Sequence, residues 1–244
     1  MALFGKTTAA LAAGLLLAAS AQAQTARDLS DIGIALYQEA NSPKALERMR
    51  KDLINAPEAY VVSVDQPGTL VLLTKRRVRV PAMKYNVALH LLEVRDSTGS
   101  HVWPPGSIDG FYMGRGVDAR HFRTFGVRDS GLKQDFVEVL TAADDSPLVL
   151  AVQHVYVHDD AQVNPILRNE TRAARTEIGQ VVLAGREVPV RELRPLVLSQ
   201  RNVLRLFGSL ATEIALYATA QHLGYTDLAQ VLRLVEYYNQ RMTK

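Results

Sequence analysis

The chain has 244 residues, 28 Lys and Arg against 25 Asp and Glu, a formal net charge of +3 and no cysteine. A chain of this length buries a core without covalent cross-links, and the lack of cysteine excludes disulfides, thiol chemistry and cysteine-ligated metals. The small net charge argues against a nucleic-acid partner, because such partners require a clustered basic surface.

Residues 1–23 have the pattern of a cleaved secretory signal peptide. Lys6 supplies a positive charge, residues 9–19 form an apolar run, and Ala21-Gln22-Ala23 is a small-x-small cleavage site. The apolar run is too short to remain as an anchor across a hydrocarbon core of about 30 Å. We therefore expect cleavage after Ala23 in a bacterial host. The product is expected to be periplasmic or secreted, without a transmembrane anchor.

The remaining residues, 24–244, are predicted to form a single soluble α+β domain. In its first part, Leu46, Met49 and Leu53 recur at helical spacing, which indicates helix after Ser42-Pro43. The predicted parts are a helical segment at 28–54, a strand-rich segment at 58–190 and a second helical segment at 195–242.

The strand-rich segment alternates apolar and polar residues, as in Val78-Arg79-Val80. Pro67 and Gly68 are placed for a type II turn over residues 66–69, and a strand is predicted from Leu70 to Val80. Many short strands separated by turns predict an antiparallel β-sandwich-like fold or a curled sheet. N-terminal helices and a C-terminal helical hairpin are expected to flank this sheet.

Two apolar stripes predict the C-terminal hairpin. The first helix has its stripe at Val203, Phe207, Leu210, Ile214 and Tyr217. The second begins near Thr226-Asp227 and has its stripe at Leu228, Val231, Leu232, Val235 and Tyr238. Each stripe needs an apolar partner, so we expect the hairpin to pack on the sheet or on the N-terminal helix.

The sharpest catalytic motif is Ser130-Gly131-Leu132-Lys133. A Ser-x-x-Lys spacing lets the amine of Lys133 accept the proton of Ser130 in acyl transfer. The tetrad lies between two strand patterns, however, and Asp129-Ser130-Gly131 is typical of a turn. His121, in an Arg-rich strand, is the other catalytic candidate.

His158, Asp159 and Asp160 could form a metal site, but the strand predicted for this segment does not favour one. His154 and His158 are four residues apart in a segment whose Val155-Tyr156-Val157 predicts a strand. Residues four apart on a strand are separated by about 13 Å, too far to share one ion. A polar turn explains these residues better, and we predict neither a metal nor a cofactor.

Ligand binding is assigned to the middle of the chain, where rigid and flexible loops flank basic residues. The candidates are Trp103, Arg115, Arg120 and Arg123. Strand alternation predicts that Arg120 and Phe122 share one face of the sheet while His121 and Arg123 share the other.

Basic residues are grouped at 75–84 and 115–128, whereas residues 134–160 contain no Lys or Arg. Solvated strand faces and turns are expected to explain most of this charge distribution. A surface that binds polyanions is a further possibility, which requires the two basic groups to lie on one face.

These features favour an exported cell-envelope binding or assembly module that is non-catalytic. It would recognise another envelope protein or an anionic ligand. The alternative is a periplasmic hydrolase or acyl-transfer enzyme that uses Ser130 and Lys133, or the region of His121.

Overall fold

A mostly antiparallel sheet and three C-terminal α-helices make up the described part of the chain. The computed structural model describes residues 56–97, 99–128, 134–142, 146–159, 162–163, 170–172, 175–186 and 190–243. The predicted signal peptide and the predicted helices at 28–54 lie outside these residues.

The described residues form twelve strands in chain order. The first six are β1 (Gln66–Val71), β2 (Arg77–Asn86), β3 (Leu91–Asp96), β4 (Gly99–Trp103), β5 (Gly110–Met113) and β6 (Arg120–Val127). The others are β7 (Asp135–Val139), β8 (Val149–Asp159), β9 (Gln162–Val163), β10 (Glu170–Arg172), β11 (Arg175–Gly185) and β12 (Glu192–Pro195). The helices are α1 (Gln200–Leu206), α2 (Ala211–Ala220) and α3 (Leu228–Met242).

Ten of these strands form one sheet in the order β12-β11-β8-β7-β6-β5-β1-β2-β3-β4, and β9 pairs with β10 separately. The described strand pairs of the large sheet are antiparallel except one, in which β12 runs parallel to β6 and pairs Gly126 with Glu192. Because β12 also pairs with β11, the strands β6, β7, β8, β11 and β12 close into a ring. The prediction of a mostly antiparallel sheet is confirmed.

The two faces of the sheet bury different cores. One face carries an aromatic cluster in which Phe111 and Phe122 stack with centroids 4.7 Å apart, and Tyr85 and Phe136 meet them edge-on. The opposite face, inside the ring, buries a second cluster formed by Phe125, Val127, Val137, Val139, Val149, Ala151, Leu183 and Leu193. Strand alternation explains the division, since Phe122 and Phe125 are an odd number of residues apart.

The three helices cover a third core built on Leu148, Leu150 and Ala184 of the sheet region. Ser199 and Asp227 cap α1 and α3 by accepting backbone N–H groups, so the predicted start of the last helix is confirmed. Asn239 of α3 exchanges two hydrogen bonds of 2.9 and 2.8 Å with the backbone of Leu148, which fixes the helix to the sheet. Among the described residues, no helix is long and apolar enough to cross a membrane.

The predicted turn at residues 66–69 is wrong. Pro67 and Gly68 lie within β1, at an irregularity in its register with β2. A Cβ atom at Gly68 would collide with the carbonyl oxygen of Tyr112, so glycine here permits the close approach of β5. The chain reverses instead at residues 72–76, where Lys75 adopts a φ of 65°, and this reversal divides the predicted strand from Leu70 to Val80.

Closure of the ring can be tested through Leu193, which is fully buried on β12. Leu193→Ala is expected to lower the free energy of unfolding by about 2–5 kcal/mol, because it leaves a cavity where β12 meets β6. The matched control is Leu73→Ala, at a leucine that is 62% exposed, with an expected change of less than about 0.5 kcal/mol. Urea unfolding measures both; equal effects would contradict the buried position of β12.

Candidate functional site: an arginine-lined groove

A row of polar side chains crosses four neighbouring strands. Arg79 of β2 pairs with Thr69 of β1, Thr69 pairs with Tyr112 of β5, and Tyr112 pairs with His121 of β6. Residues paired directly in an antiparallel ladder present their side chains to the same face. The four side chains therefore share one face, the one opposite the aromatic cluster.

Tyr112 is held from both sides of its ring. The His121 ring stacks on it with centroids 4.2 Å apart and planes 4° apart. The guanidinium carbon of Arg77 lies 5.3 Å from the Tyr112 centroid, on the side of β1 and β2. Such cation–π contacts contribute about 0.5–1 kcal/mol at an exposed site. The stack fixes Arg77 beside Tyr112 without neutralising the charge of Arg77.

This face opens into a groove with a volume of about 880 Å³. Arg77, Arg79 and Arg115 line it together with Tyr112, and no acidic residue is among the described residues that do so. Gly114, with a φ of 102°, turns the chain after β5 and donates its N–H to the carbonyl of Pro67 at 2.8 Å. That hydrogen bond holds the loop carrying Arg115 against β1.

The three arginines are exposed, and none forms an ion pair with another described residue. Arg77 and Arg79 are two residues apart on one strand, so they lie on the same face of the sheet with their Cα atoms about 7 Å apart. The groove therefore concentrates positive charge that an anion would stabilise.

Of the ligand-binding residues predicted from sequence, only Arg115 lies in the groove. Arg123 is on the same face of the sheet, but its guanidinium lies 3.8 Å from the Asp109 carboxylate. Trp103 packs against the aromatic cluster. Arg120 lies on the opposite face from His121, as alternation predicted, so the four candidates do not form one site.

The other predicted candidates do not assemble in the described structure. Ser130 and Lys133 lie outside the described residues, and so does Asp160. His158 and Asp159 are in β8, where their backbones pair with Thr176 and Arg175. Among the described residues, no group of three His, Asp or Glu side chains could hold a metal ion.

Arg120 is bound in a partly buried ionic cluster with Glu138 and His154. Its guanidinium donates to both Glu138 oxygens, at 2.8 and 2.5 Å, and His154 Nε2 lies 2.8 Å from the same carboxylate. Burial by itself would raise the pKa of Glu138, but hydrogen bonds from Arg120 and His154 outweigh burial and lower that pKa from 4.5 to about 2. The cluster holds β6, β7 and β8 together.

A second carboxylate of the acidic segment, Asp135, is completely buried. It accepts hydrogen bonds from the Phe136 N–H at 2.8 Å, from Gln153 Nε2 at 2.7 Å and from the Tyr85 hydroxyl at 3.3 Å. His90 Nδ1 lies 3.0 Å from the same carboxylate. Solvated strand faces and turns were expected to explain most of the charge distribution, and Asp135 and Glu138 are exceptions to that expectation. Sequence reasoning also missed His90 as a candidate.

The chain matches no known protein family, and neither a characterised protein nor a solved structure shows significant similarity to it.

The ionic cluster predicts how stability depends on Glu138. Glu138→Gln is expected to lower the free energy of unfolding at pH 7 by about 1–3 kcal/mol. This is less than the cost of breaking a fully buried pair, because solvent screens a partly exposed Arg120. The carboxylate stabilises the fold fully above pH 4.5, and this stabilisation is lost as the pH falls towards about 2.

Urea unfolding at several pH values measures this dependence. The difference between the wild type and Glu138→Gln should shrink as the pH falls below 4.5. Glu58→Gln is the control, because Glu58 is exposed and should change stability by less than about 0.5 kcal/mol. A difference that stays constant with pH would contradict the role of the ionised carboxylate.

Proposed function

We propose that the protein is an exported cell-envelope module that binds an anionic ligand in the arginine-lined groove. The observation that carries the proposal is the set of three arginines, Arg77, Arg79 and Arg115, which line one groove without an acidic partner among the described residues. Each guanidinium offers a planar fork of donors that fits a carboxylate or phosphate through two hydrogen bonds.

The size of the groove favours a ligand with several negative groups. Its volume of about 880 Å³ is near the upper end of ordinary ligand pockets, at about 300–1,000 Å³. A single phosphate would contact one or two of the arginines, whereas a short polyanion can contact all three. The proposed ligand class is therefore an oligomeric or polymeric anion.

The chemistry of the groove lining is suited to binding an anion. Its hydroxyls among the described residues belong to Thr69 and Tyr112, and no Asp or Glu is among the described residues that line it. The positive face and the polar loops instead provide charge and hydrogen-bond donors. The acyl-transfer alternative with Ser130 and Lys133 gains no support from the groove.

Export remains part of the proposal because of Lys6, the apolar run at residues 9–19 and the Ala21-Gln22-Ala23 site. A protein delivered to the periplasm or the medium meets envelope components that carry phosphate and carboxylate groups. The groove would let the module bind such material through the positive charge and the spacing of its three arginines.

Removal of one groove arginine should weaken binding of polyanions. Arg79→Ala is expected to lower affinity by about tenfold, since one charge-assisted contact is lost. It should also reduce the slope of log affinity against log salt by about 1. Fluorescence anisotropy with labelled short-chain polyphosphate and, separately, labelled oligoglutamate measures this and distinguishes phosphate from carboxylate recognition.

The matched control is Arg233→Ala, at an exposed arginine of α3 that is not among the groove-lining residues. It should leave affinity and salt dependence unchanged. The proposal fails if neither probe binds, or if Arg233→Ala weakens binding as much as Arg79→Ala does.

Export can be tested by processing of the full chain in a bacterial host. The periplasmic or secreted form should begin at Gln24, as read by intact mass and N-terminal sequencing. Ala23→Trp should block cleavage, because the residue before the cut must be small, whereas Gln22→Trp at the tolerant middle position should still be processed. An uncleaved wild-type chain retained in the cytoplasm would contradict export.

A further inference from the structure

His90 lies on a turn that is fixed in an uncommon backbone conformation. The turn joins β2 to β3, and His90 has a φ of 52°, in the left-handed region that non-glycine residues seldom occupy. Buried neighbours hold it there, since the Val87 N–H donates to the Ala59 carbonyl at 2.7 Å and the Leu89 N–H donates to Asn86 Oδ1 at 3.0 Å. These two hydrogen bonds fix the position from which the imidazole reaches Asp135.

The environment of Asp135 determines which nitrogen of His90 carries the hydrogen. The Asp135 carboxylate already accepts from Tyr85, Phe136 and Gln153. Burial, followed by the charge of Asp135, raises the pKa of Tyr85 well above 10, so the Tyr85 hydroxyl remains a donor at neutral pH. An ionised carboxylate only accepts, and in that state the 3.0 Å contact is a hydrogen bond donated by His90 Nδ1. In the neutral imidazole, Nε2 is then an unprotonated acceptor.

The His90 side chain is 31% exposed, whereas Asp135 is 0% exposed. The imidazole lines a cleft of about 470 Å³, and Gln153, Arg128 and Tyr156 also line it. His90 Nε2 has no hydrogen-bond partner among the described residues. The cleft therefore combines an oriented basic nitrogen with an exposed guanidinium at the end of β6.

We propose that His90, oriented by Asp135, is the proton acceptor of a hydrolytic site in this cleft, acting on esters whose carboxylate group binds Arg128. The site does not rest on the arginine-lined groove, because none of its residues lines that groove. His90 is the catalytic residue. Asp135 is a positioning residue that holds the tautomer and orientation of the imidazole.

The reaction requires only water and the ester. His90 Nε2 takes a proton from water while the water oxygen bonds to the acyl carbon. The tetrahedral intermediate then collapses, the ester C–O bond breaks, and the alcohol oxygen leaves with the proton from Nε2. The products are a carboxylic acid and an alcohol, and the imidazole returns to its starting form.

The experiment uses two chromogenic esters that differ in charge. Mono-4-nitrophenyl adipate carries a free carboxylate on a chain too long for efficient attack on its own acyl carbon, and 4-nitrophenyl hexanoate is its uncharged analogue of similar length. Wild-type protein should hydrolyse the adipate ester at least about 100-fold faster than His90→Gln does, in line with the usual contribution of a general base. Arg128→Ala should raise KM about tenfold for the adipate ester and leave that for the hexanoate ester unchanged.

The control is His222→Gln, because His222 is an exposed histidine with a φ of 53° and tests the effect of the same substitution in the same backbone conformation. It should hydrolyse both esters at the wild-type rate. The proposal is overturned if the wild type does not exceed the buffer rate, or if His90→Gln retains the wild-type rate.

A second readout on the wild-type protein is independent of turnover. Proton–nitrogen NMR correlations of the wild-type imidazoles should show the hydrogen of neutral His90 on Nδ1. In Asp135→Asn the population with the hydrogen on Nε2 should increase, and hydrolysis of the adipate ester should fall with it. A wild-type His90 with its hydrogen on Nε2 would refute the pair regardless of activity.

Discussion

The pairing of β6 with three different strands is the constraint on which the rest of the structure depends. Its first half pairs with β5, its middle with β7 and its last residues with β12. Alternation along this one strand sends Phe122 to the aromatic cluster and Phe125 to the core inside the ring. The same strand supplies His121 to the polar row, and the residue after it, Arg128, lines the His90 cleft. Both proposed sites are thus positioned by the strand that closes the ring.

The face of the sheet on which an arginine lies, and the carboxylates near it, together determine what that arginine contacts. Arg79 projects from the open face and finds no acidic partner among the described residues, whereas Arg120 projects towards the aromatic cluster and is held by both oxygens of Glu138. A partly buried ion pair needs such complete hydrogen bonding to offset the desolvation of its charges. Arginines without an acidic partner keep their charge for the proposed ligand. The face alone does not decide this, because Arg123 lies on the same face as Arg79 and its guanidinium is 3.8 Å from the Asp109 carboxylate.

Local patterns predicted the antiparallel strands and the cap at Asp227, because these depend on alternation and on capping chemistry within a few residues. The turn at Pro67 and Gly68 was mispredicted, because the glycine serves a contact with Tyr112, 44 positions further along the chain, that no local pattern shows. His90 and Asp135 were missed for the same reason: they are 45 positions apart and meet only through the register of the sheet. The basic groups were recognised in sequence, but the two strands between Arg79 and His121 could not be inferred from it.

The two sites lie towards opposite ends of β2, and this separation makes them physically independent. Arg77 and Arg79 are near its start, while the turn bearing His90 follows its last residue, Asn86. Seven residues of extended chain between Arg79 and Asn86 span roughly 23 Å, beyond the Debye length of about 10 Å at moderate ionic strength. An anion in the groove therefore neither touches His90 nor alters the field around it strongly. The proposed charge recognition in the groove and the proposed proton transfer in the cleft can therefore each be lost without the other.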